Sequence, residues 1–515
     1  SEVMNIINEN TLTYTKSIGN GHEIKVMGGL TNQKTINQGL TAGATGFSLD
    51  LLEDYSLQSG NTPRVPQSSR TEYSILSWLG RVNYSYKDKY LLTASIRADG
   101  SSRFGKENKW GYFPSVAAAW RISGEEFWDN LAYSVNDFKL RASWGKTGST
   151  SIAPYQSQAI LAGVSTVFDD KVVVGYAPSG IQPNPGLKWE TTTQYNIGID
   201  LGLWKNRLSI VADYYYKRTD DLLTSTPLPL SNGYVSVPKN VGSIENKGFE
   251  AAINSRIIDN RNVKWELGVN LSANRNKVLS LANDADIFGA TLGLPVGIPV
   301  NIVRVGQPVG AFYGYIEDGL TENGAINFVD QDHSGSITAT DRTIIGNPNP
   351  NYILGLTSSV SYKNFTLSFL LSSMQGNDIF NFTYTNIADG FSFGINQIQD
   401  VMGNYWTASN PKPNAKYPKI SKNTRYLPSD RYIFDGSYIR MRNIQLAYTL
   451  KGVSAGKVDL GKSQVYVSAQ NLFTITKYPN YSPEVNTVGG GISRGVDQYG
   501  YPDARTFLLS GRLSM

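Results

Sequence analysis

Apolar and polar residues alternate along most of this chain with a period of two. Tyr195, Ile197, Ile199, Leu201 and Leu203 interleave with Gln194, Asn196, Gly198, Asp200 and Gly202, so an extended segment here presents one face to an apolar medium and the other to a polar one. After Trp204-Lys205-Asn206 the alternation resumes. Leu208, Ile210, Ala212, Tyr214 and Tyr216 stand against Ser209, Asp213 and Lys217, as a hairpin partner should. A third run sets Val263, Trp265, Leu267, Val269 and Leu271 opposite Lys264, Glu266, Gly268, Asn270 and Ser272. Small and polar residues dominate the second face, which predicts a wet interior. A soluble sandwich would turn its apolar face inward and use shorter strands.

Between Leu12 and Met515 the pattern predicts about fifteen such strands, joined alternately by short turns and long loops. Short turns are expected near 18–21, 87–89, 204–206, 257–262 and 363–364, with 123–134 and 451–463 on the same side. Long connections are expected near 32–70, 99–109, 147–188, 219–242, 279–350, 377–435 and 475–503. That asymmetry is the signature of an outer-membrane barrel, with a cramped periplasmic side and an elaborated outer side. Tyrosines and tryptophans gather near strand ends, among them Tyr84, Tyr86, Tyr90, Trp110, Tyr112, Trp120 and Tyr214, where amphipathic rings can lie at the headgroup level.

The chain has 515 residues, 40% of them hydrophobic, with 50 Gly, 31 Tyr and 9 Trp. It shows no domain break, so residues 1–515 read as a portion of one barrel domain. No run approaches eighteen apolar residues and the mean hydropathy is −0.28, which excludes transmembrane helices but not a barrel, where only alternate residues face lipid. A net charge of +5 without a basic stripe gives no ground for nucleic-acid binding. With no Cys and only His22 and His333, Cys/His or His-based triads and zinc sites are disfavoured. Glu125 and Glu126 are adjacent, and adjacent strand residues point opposite ways, so they make no catalytic carboxylate pair. The sequence is not read as that of an enzyme.

Several blocks carry a resemblance. Tyr90 through Arg97-Ala-Asp99-Gly100-Ser-Ser-Arg103-Phe104-Gly105, continuing through Trp110-Gly-Tyr-Phe113-Pro114 to Trp120-Arg121, resembles the SusC/RagA family of TonB-dependent transporters. So do Asn184-Pro-Gly-Leu-Lys-Trp189-Glu190, Asn240-Val-Gly-Ser-Ile-Glu-Asn-Lys-Gly248-Phe249-Glu250, Ile345-Gly-Asn-Pro-Asn-Pro350 and Asn471-Leu472-Phe473, all in collinear order. The resemblance implies active import of a glycan or oligopeptide across the bacterial outer membrane. It implies a SusD-like lipoprotein closing over the outer mouth and TonB acting through a plug, and it leaves open whether two such pairs associate. A 22-stranded barrel is then expected, of which this chain supplies about fifteen strands. A companion chain or N-terminal segment is expected to bring the plug and the first strands, because an open sheet would leave unpaired edges in lipid. A passive porin or a surface adhesin on the same barrel is the alternative.

One local motif carries chemistry. Asp330, Asp332, Ser334, Thr338 and Asp341 place side-chain oxygens at relative positions 1, 3, 5, 9 and 12, with Ser336 between, Gly335 at 6 and Ile337 at 8. This is an EF-hand-like spacing for Ca²⁺, departing from the strict pattern at Ser334 and in having Asp341 where Glu usually stands. The alternative is a polar, Gly-centred turn. For cargo, aromatic platforms are expected at Tyr313, Tyr315, Phe391, Phe393, Tyr405, Trp406 and Tyr438.

Overall fold

A computed structural model describes the chain apart from residues 50–52, 294–295, 389–394, 410, 412–414, 421–425, 451–453, 456–457, 460–462 and 514–515. Fifteen strands carry the alternating pattern. They are β1 (Glu2–Ile18), β2 (His22–Thr45), β3 (Thr62–Tyr86), β4 (Tyr90–Ser101), β5 (Trp110–Arg121), β6 (Val135–Ser149), β7 (Glu190–Leu203) and β8 (Leu208–Asp220). The remainder are β9 (Ser243–Asp259), β10 (Val263–Ser280), β11 (Tyr352–Tyr362), β12 (Phe365–Gln375), β13 (Tyr438–Thr449), β14 (Gln464–Gln470) and β15 (Thr506–Arg512).

The residues fall into two compact units. In the first, β1 to β5 pair in sequence order, all antiparallel. In the second, β10 to β15 do the same. Strands β6 to β9 contribute residues to both units.

Register confirms the facing that the alternation predicted. In the first unit Val26, Val82, Ala94 and Val116 stand side by side across β2 to β5. In the second, Trp265, Val360, Leu367, Leu446, Val467 and Leu509 form one continuous row from β10 to β15. The next residue along makes the opposite row: Glu266, Ser359, Ser368, Gln445 and Ser468. Among the described residues, no protein layer covers the apolar rows. Trp78 is 54% exposed, Ile197 67% and Leu509 76%. A continuous apolar face of this extent requires an apolar solvent.

Aromatic rings mark the edges of that face. Near the turns, His22, Tyr86, Tyr90 and Trp120 stack in series, with centroids 4.4 to 6.3 Å apart. In the second unit Phe365 and Tyr448 meet at 4.9 Å beside Tyr362. Ten residues separate the Tyr90 row from the Trp110 row, and ten separate Tyr362 from Tyr352. At about 3.3 Å per residue and a tilt of about 45°, both spacings correspond to a band roughly 25 Å tall.

The tight turns fall where the alternation broke. Asn20 and Gly21, Lys87 and Asp88, Trp204 to Asn206, and Lys363 all adopt positive φ, which closes a short hairpin in the sense of the strand twist. The connection expected over 32–70 is corrected: β2 runs to Thr45 and β3 starts at Thr62, paired along their length apart from a bulge between Thr41 and Gly43. These polar stretches, such as Thr31-Asn-Gln-Lys-Thr35, keep their backbone ladder in water, where no apolar face is needed to hold an antiparallel pair already registered below.

The connections expected over 279–350, 377–435 and 475–503 contain structure of their own. A four-stranded sheet joins Ile287–Phe288, Asn301–Val303, Ala311–Gly314 and Thr343–Gly346. A three-stranded one joins Ile433–Phe434–Asp435, Asp378–Asn381 and Val496–Asp497. Between them lies a dry core of Leu292, Val296, Val300, Phe312, Phe380, Phe382, Tyr432 and Val496.

Candidate lumen wall and outer-loop site

The polar face of the first unit carries a cavity of about 750 Å³. Its central feature is Arg97, whose Nε donates to Asp99 Oδ1 at 2.7 Å and whose Nη2 donates to Ser77 Oγ at 2.9 Å. Strand periodicity puts residues 97 and 99 on one face. Around them Ser95 and Ser115 hydroxyls meet at 2.7 Å, and Thr93 donates to Asn83 at 3.0 Å. Sequence reading quoted Arg97 and Asp99 only within a motif; their spacing of two was the signal that they act as a pair. In the second unit a cavity of about 780 Å³ lies against Asn254, Glu266, Ser359, Ser368, Asn443 and Gln445. Both surfaces offer hydroxyls, amides and a few paired charges, which suits a polar, hydrated solute.

Some of the motifs that carried the resemblance, those holding Phe104, Phe113, Leu187, Trp189 and Asn240, come together in the first unit, while Ile345–Pro350 and Asn471–Phe473 lie in the second. Trp189 packs against Phe104 and Phe113, each at 5.3 Å, with Leu187 fully buried beside them. Trp189 Nε1 donates to the Lys109 carbonyl at 3.1 Å. Asn240 receives the Lys188 amide at 2.9 Å and donates back to the Lys188 carbonyl at 2.7 Å. A Cβ at Gly105 would overlap the Pro185 carbonyl oxygen, so that position needs glycine for close approach. These residues anchor the loops to the strand ends.

The expected cargo platforms are placed as follows. Tyr313 is buried between two guanidinium groups, Arg304 at 4.6 Å and Arg342 at 4.3 Å from its ring centroid. Tyr315 is buried against Phe328 at 5.5 Å. Trp406 is buried with Lys419 Nζ 6.0 Å from its ring, while Tyr405 is half-buried. Tyr438 is buried with its hydroxyl donating to Glu484 at 2.5 Å. Phe391 and Phe393 lie outside the described residues. Beside Tyr438 the structure adds a charge cluster that sequence reading missed: Arg440, 3% exposed, bridges Glu484 at 2.6 Å and Asp503 at 2.5 Å. Glu484 and Asp503 lie 44 and 63 positions after Arg440, and no local pattern links them.

The 330–341 segment folds back on itself. One carboxylate oxygen from each of Asp330, Asp332 and Asp341 lies within 4.8 Å of the others. Asp330 accepts from the Ser334 and Gly335 amides at 3.1 and 2.7 Å, and Asp332 from Ser334 N at 3.0 Å and Thr340 Oγ1 at 2.5 Å. Buried Asp341 accepts from the amides of Gln331 and Thr338, both at 2.7 Å. The hydroxyls of Thr340 and Ser334 hold the Asp332 carboxyl below its usual value, at about 2, and the Thr338 and Gln331 amides lower that of Asp341. Thr338 caps the turn that carries Asp341, and Ser334 Oγ donates to the Ser336 carbonyl at 3.0 Å. The structure therefore brings together one carboxylate oxygen from each of Asp330, Asp332 and Asp341, while the Ser334 hydroxyl turns to the Ser336 carbonyl and the Thr338 hydroxyl to Thr340 and Asp341.

Residues 6–372 match the family described as TonB dependent receptor-like, beta-barrel. The chain belongs to this family. A TonB-dependent receptor from Formosa agariphila, P3, is 36% identical across 98% of this chain and 52% of its own length. The SusC receptor of Bacteroides thetaiotaomicron is 33% identical across 85% of this chain and 43% of its own. Among solved structures, the RagAB peptide importer in an open-open state superposes with a TM-score of 0.86 at 26% identity, over 100% of this chain and 55% of the matched one. The chain spans about half the length of the relatives it matches. Family membership makes the uncovered apolar rows the lipid face of an integral outer-membrane β-barrel, and the polar cavities its inner wall. The family is one of TonB-dependent receptors.

Proposed function

We propose that this barrel takes part in TonB-dependent active import of a glycan or an oligopeptide, together with a SusD-like surface lipoprotein. The observation that carries the reading is the polar inner wall, built from Arg97, Asp99 and rows of Ser, Thr and Asn, in a chain that resembles both SusC and a RagAB importer. In this reading TonB acts through a plug that closes the barrel. Pulling on the plug then opens a path along the wall.

Within the outer loops, Asp330, Asp332, Ser334, Ser336, Thr338 and Asp341 would hold one Ca²⁺ with a structural role. Three carboxylates converging on one point, with Gly335 at the sharp turn, support this reading, and hard oxygen ligands suit that ion. Tyr405, half-buried at the edge of its loop, is the described ring best placed to meet cargo; the four buried rings would shape the loops that surround it.

The test is purification of the full-length protein from its native membrane. Importer function predicts a copurifying lipoprotein, plus uptake that stops when the inner-membrane energy supply is removed. A steady open conductance in planar bilayers, with no lipoprotein, would instead mark a porin. For the ion, calorimetric titration with CaCl₂ should show one site that the Asp341→Asn variant lacks.

A further inference from the structure

The lipid face does not end at its outer aromatic edge. On β10 and β11, Ser272 pairs with Ile353, which places Tyr352 and the top of the apolar band at this level. Tyr352 and, on the neighbouring β9, Phe249 are each 42% exposed. Immediately beyond them on the same lipid-facing rows stand three cations. Arg275 and Lys277 continue the row of Val269 and Leu271, and Lys247 continues the row of Phe249 and Ile253. All three are exposed. The side chains of β9 and β10 interlock at this height, with Asn274 donating to Asn246 at 3.1 Å.

The charge balance here is one-sided. Lys247 pairs with Glu245 at 3.3 Å, whereas among the described residues Lys277 and Arg275 have no carboxylate within ion-pair distance. Arg275 donates from Nη1 to the carbonyl of Asn351, the residue before Tyr352, at 3.3 Å. Three positive groups therefore face one negative group. Long-loop asymmetry puts this end of the strands at the outer leaflet. A cation at such a height keeps its stem along apolar surface and its head at the interface, where the complementary group in a membrane is a phosphate.

We propose that Lys247, Arg275 and Lys277 form a docking site for the phosphate of an outer-leaflet glycolipid. Arg275 supplies directional donors to the phosphate oxygens, and the two lysines supply point charges on either side. Tyr352 and Phe249 pack against the first acyl carbons below. The site lies on the outside of the barrel, so it stands or falls independently of cargo and of the import mechanism.

The experiment is native mass spectrometry of the full-length protein released from detergent, after incubation with phosphorylated lipid A, with its dephosphorylated counterpart, or with inorganic phosphate. The wild type is expected to retain phosphorylated lipid A. Retention falls roughly fivefold for each cation removed in the series K277Q, R275Q/K277Q and K247Q/R275Q/K277Q, while a turn-side charge control, K205Q/K363Q, retains lipid as the wild type does. Should the triple variant fail to fold, as read by its heat-modifiable gel mobility, K277Q alone carries the test. Equal retention by wild type and K277Q would overturn the proposal. So would equal retention of the dephosphorylated lipid, or binding of inorganic phosphate in place of lipid.

Discussion

The strand wall and the outer-loop layer of the second unit use the same residue types in opposite ways. In the wall, Leu446, Val467 and Leu509 stand exposed and Ser359, Ser368 and Ser468 line the other face. In the loop layer, Phe312, Phe380, Tyr432 and Val496 close into a dry core with no exposed partner row. The wall draws its stability from backbone pairing and from lipid as solvent for its apolar side. The loop layer stands in water and has to bury its own apolar groups, so it packs as a small soluble domain does. A single chain thus meets two solvents, and the location of each hydrophobic residue reports which one.

Removing packing from the loop core should separate the two regions most sharply. Phe380→Ala deletes a fully buried ring and is expected to cost the loop layer about 3–5 kcal/mol. Limited proteolysis should then cut within 279–350 and 377–435 while heat-modifiable gel mobility, which reads the barrel, stays unchanged. The converse change is Leu446→Arg in the middle of the lipid-facing row, expected to cost about 2–4 kcal/mol of barrel stability in a bilayer. Urea titration in liposomes would show it, with loop protease resistance retained. If either variant disturbed both regions equally, the division would fail.

Smaller effects sharpen the picture. Gly314→Ala introduces a Cβ that overlaps the Pro428 carbonyl oxygen, and is expected to loosen the loop sheet by about 1–3 kcal/mol, visible as faster amide exchange over Tyr313–Ile316. Acid should act on the 330–341 turn. The folded Asp332 carboxyl titrates at about 2 instead of 3.8, so its contribution is complete above 3.8 and is lost as the pH falls towards 2. Pepsin cleavage within the turn should rise across that window, and added CaCl₂ should delay it. Ser359→Ala on the polar face is expected to leave stability within about 0.5 kcal/mol of wild type, with any consequence confined to transport assays.

Much of the wall was legible in the sequence because each strand states its facing locally. Tyr195 to Leu203 alternate without a break, and Trp204 to Asn206 take up the positive φ of the turn. The reach of β2 and β3 was not legible: from Thr35 to Thr45 the row of Ile36, Leu40, Ala42 and Ala44 is broken by Gln38 and ends in small residues, and only pairing with β3 reveals the stretch as strand. The loop core was hidden for a different reason. Phe312, Phe380 and Val496 are separated by dozens of residues, so no window of sequence contains the contact that buries them. Tyr313 looks like an exposed platform in sequence because Arg304 and Arg342, the groups that cover it, come from either side at a distance. By contrast, the 330–341 turn was visible as a spacing, since all its oxygens lie within one short stretch.

The facing of the strands can be measured directly, since the chain contains no cysteine. Single cysteines placed in turn at Phe365 to Leu371 on β12, spin-labelled in liposomes, would report accessibility to oxygen and to a water-soluble nickel chelate. Labels at 365, 367, 369 and 371 should favour oxygen and those at 366, 368 and 370 the chelate, in strict alternation. Labels at 365, 367, 369 and 371 shielded from both reagents would show that the apolar rows are packed against protein, contradicting the membrane-spanning wall.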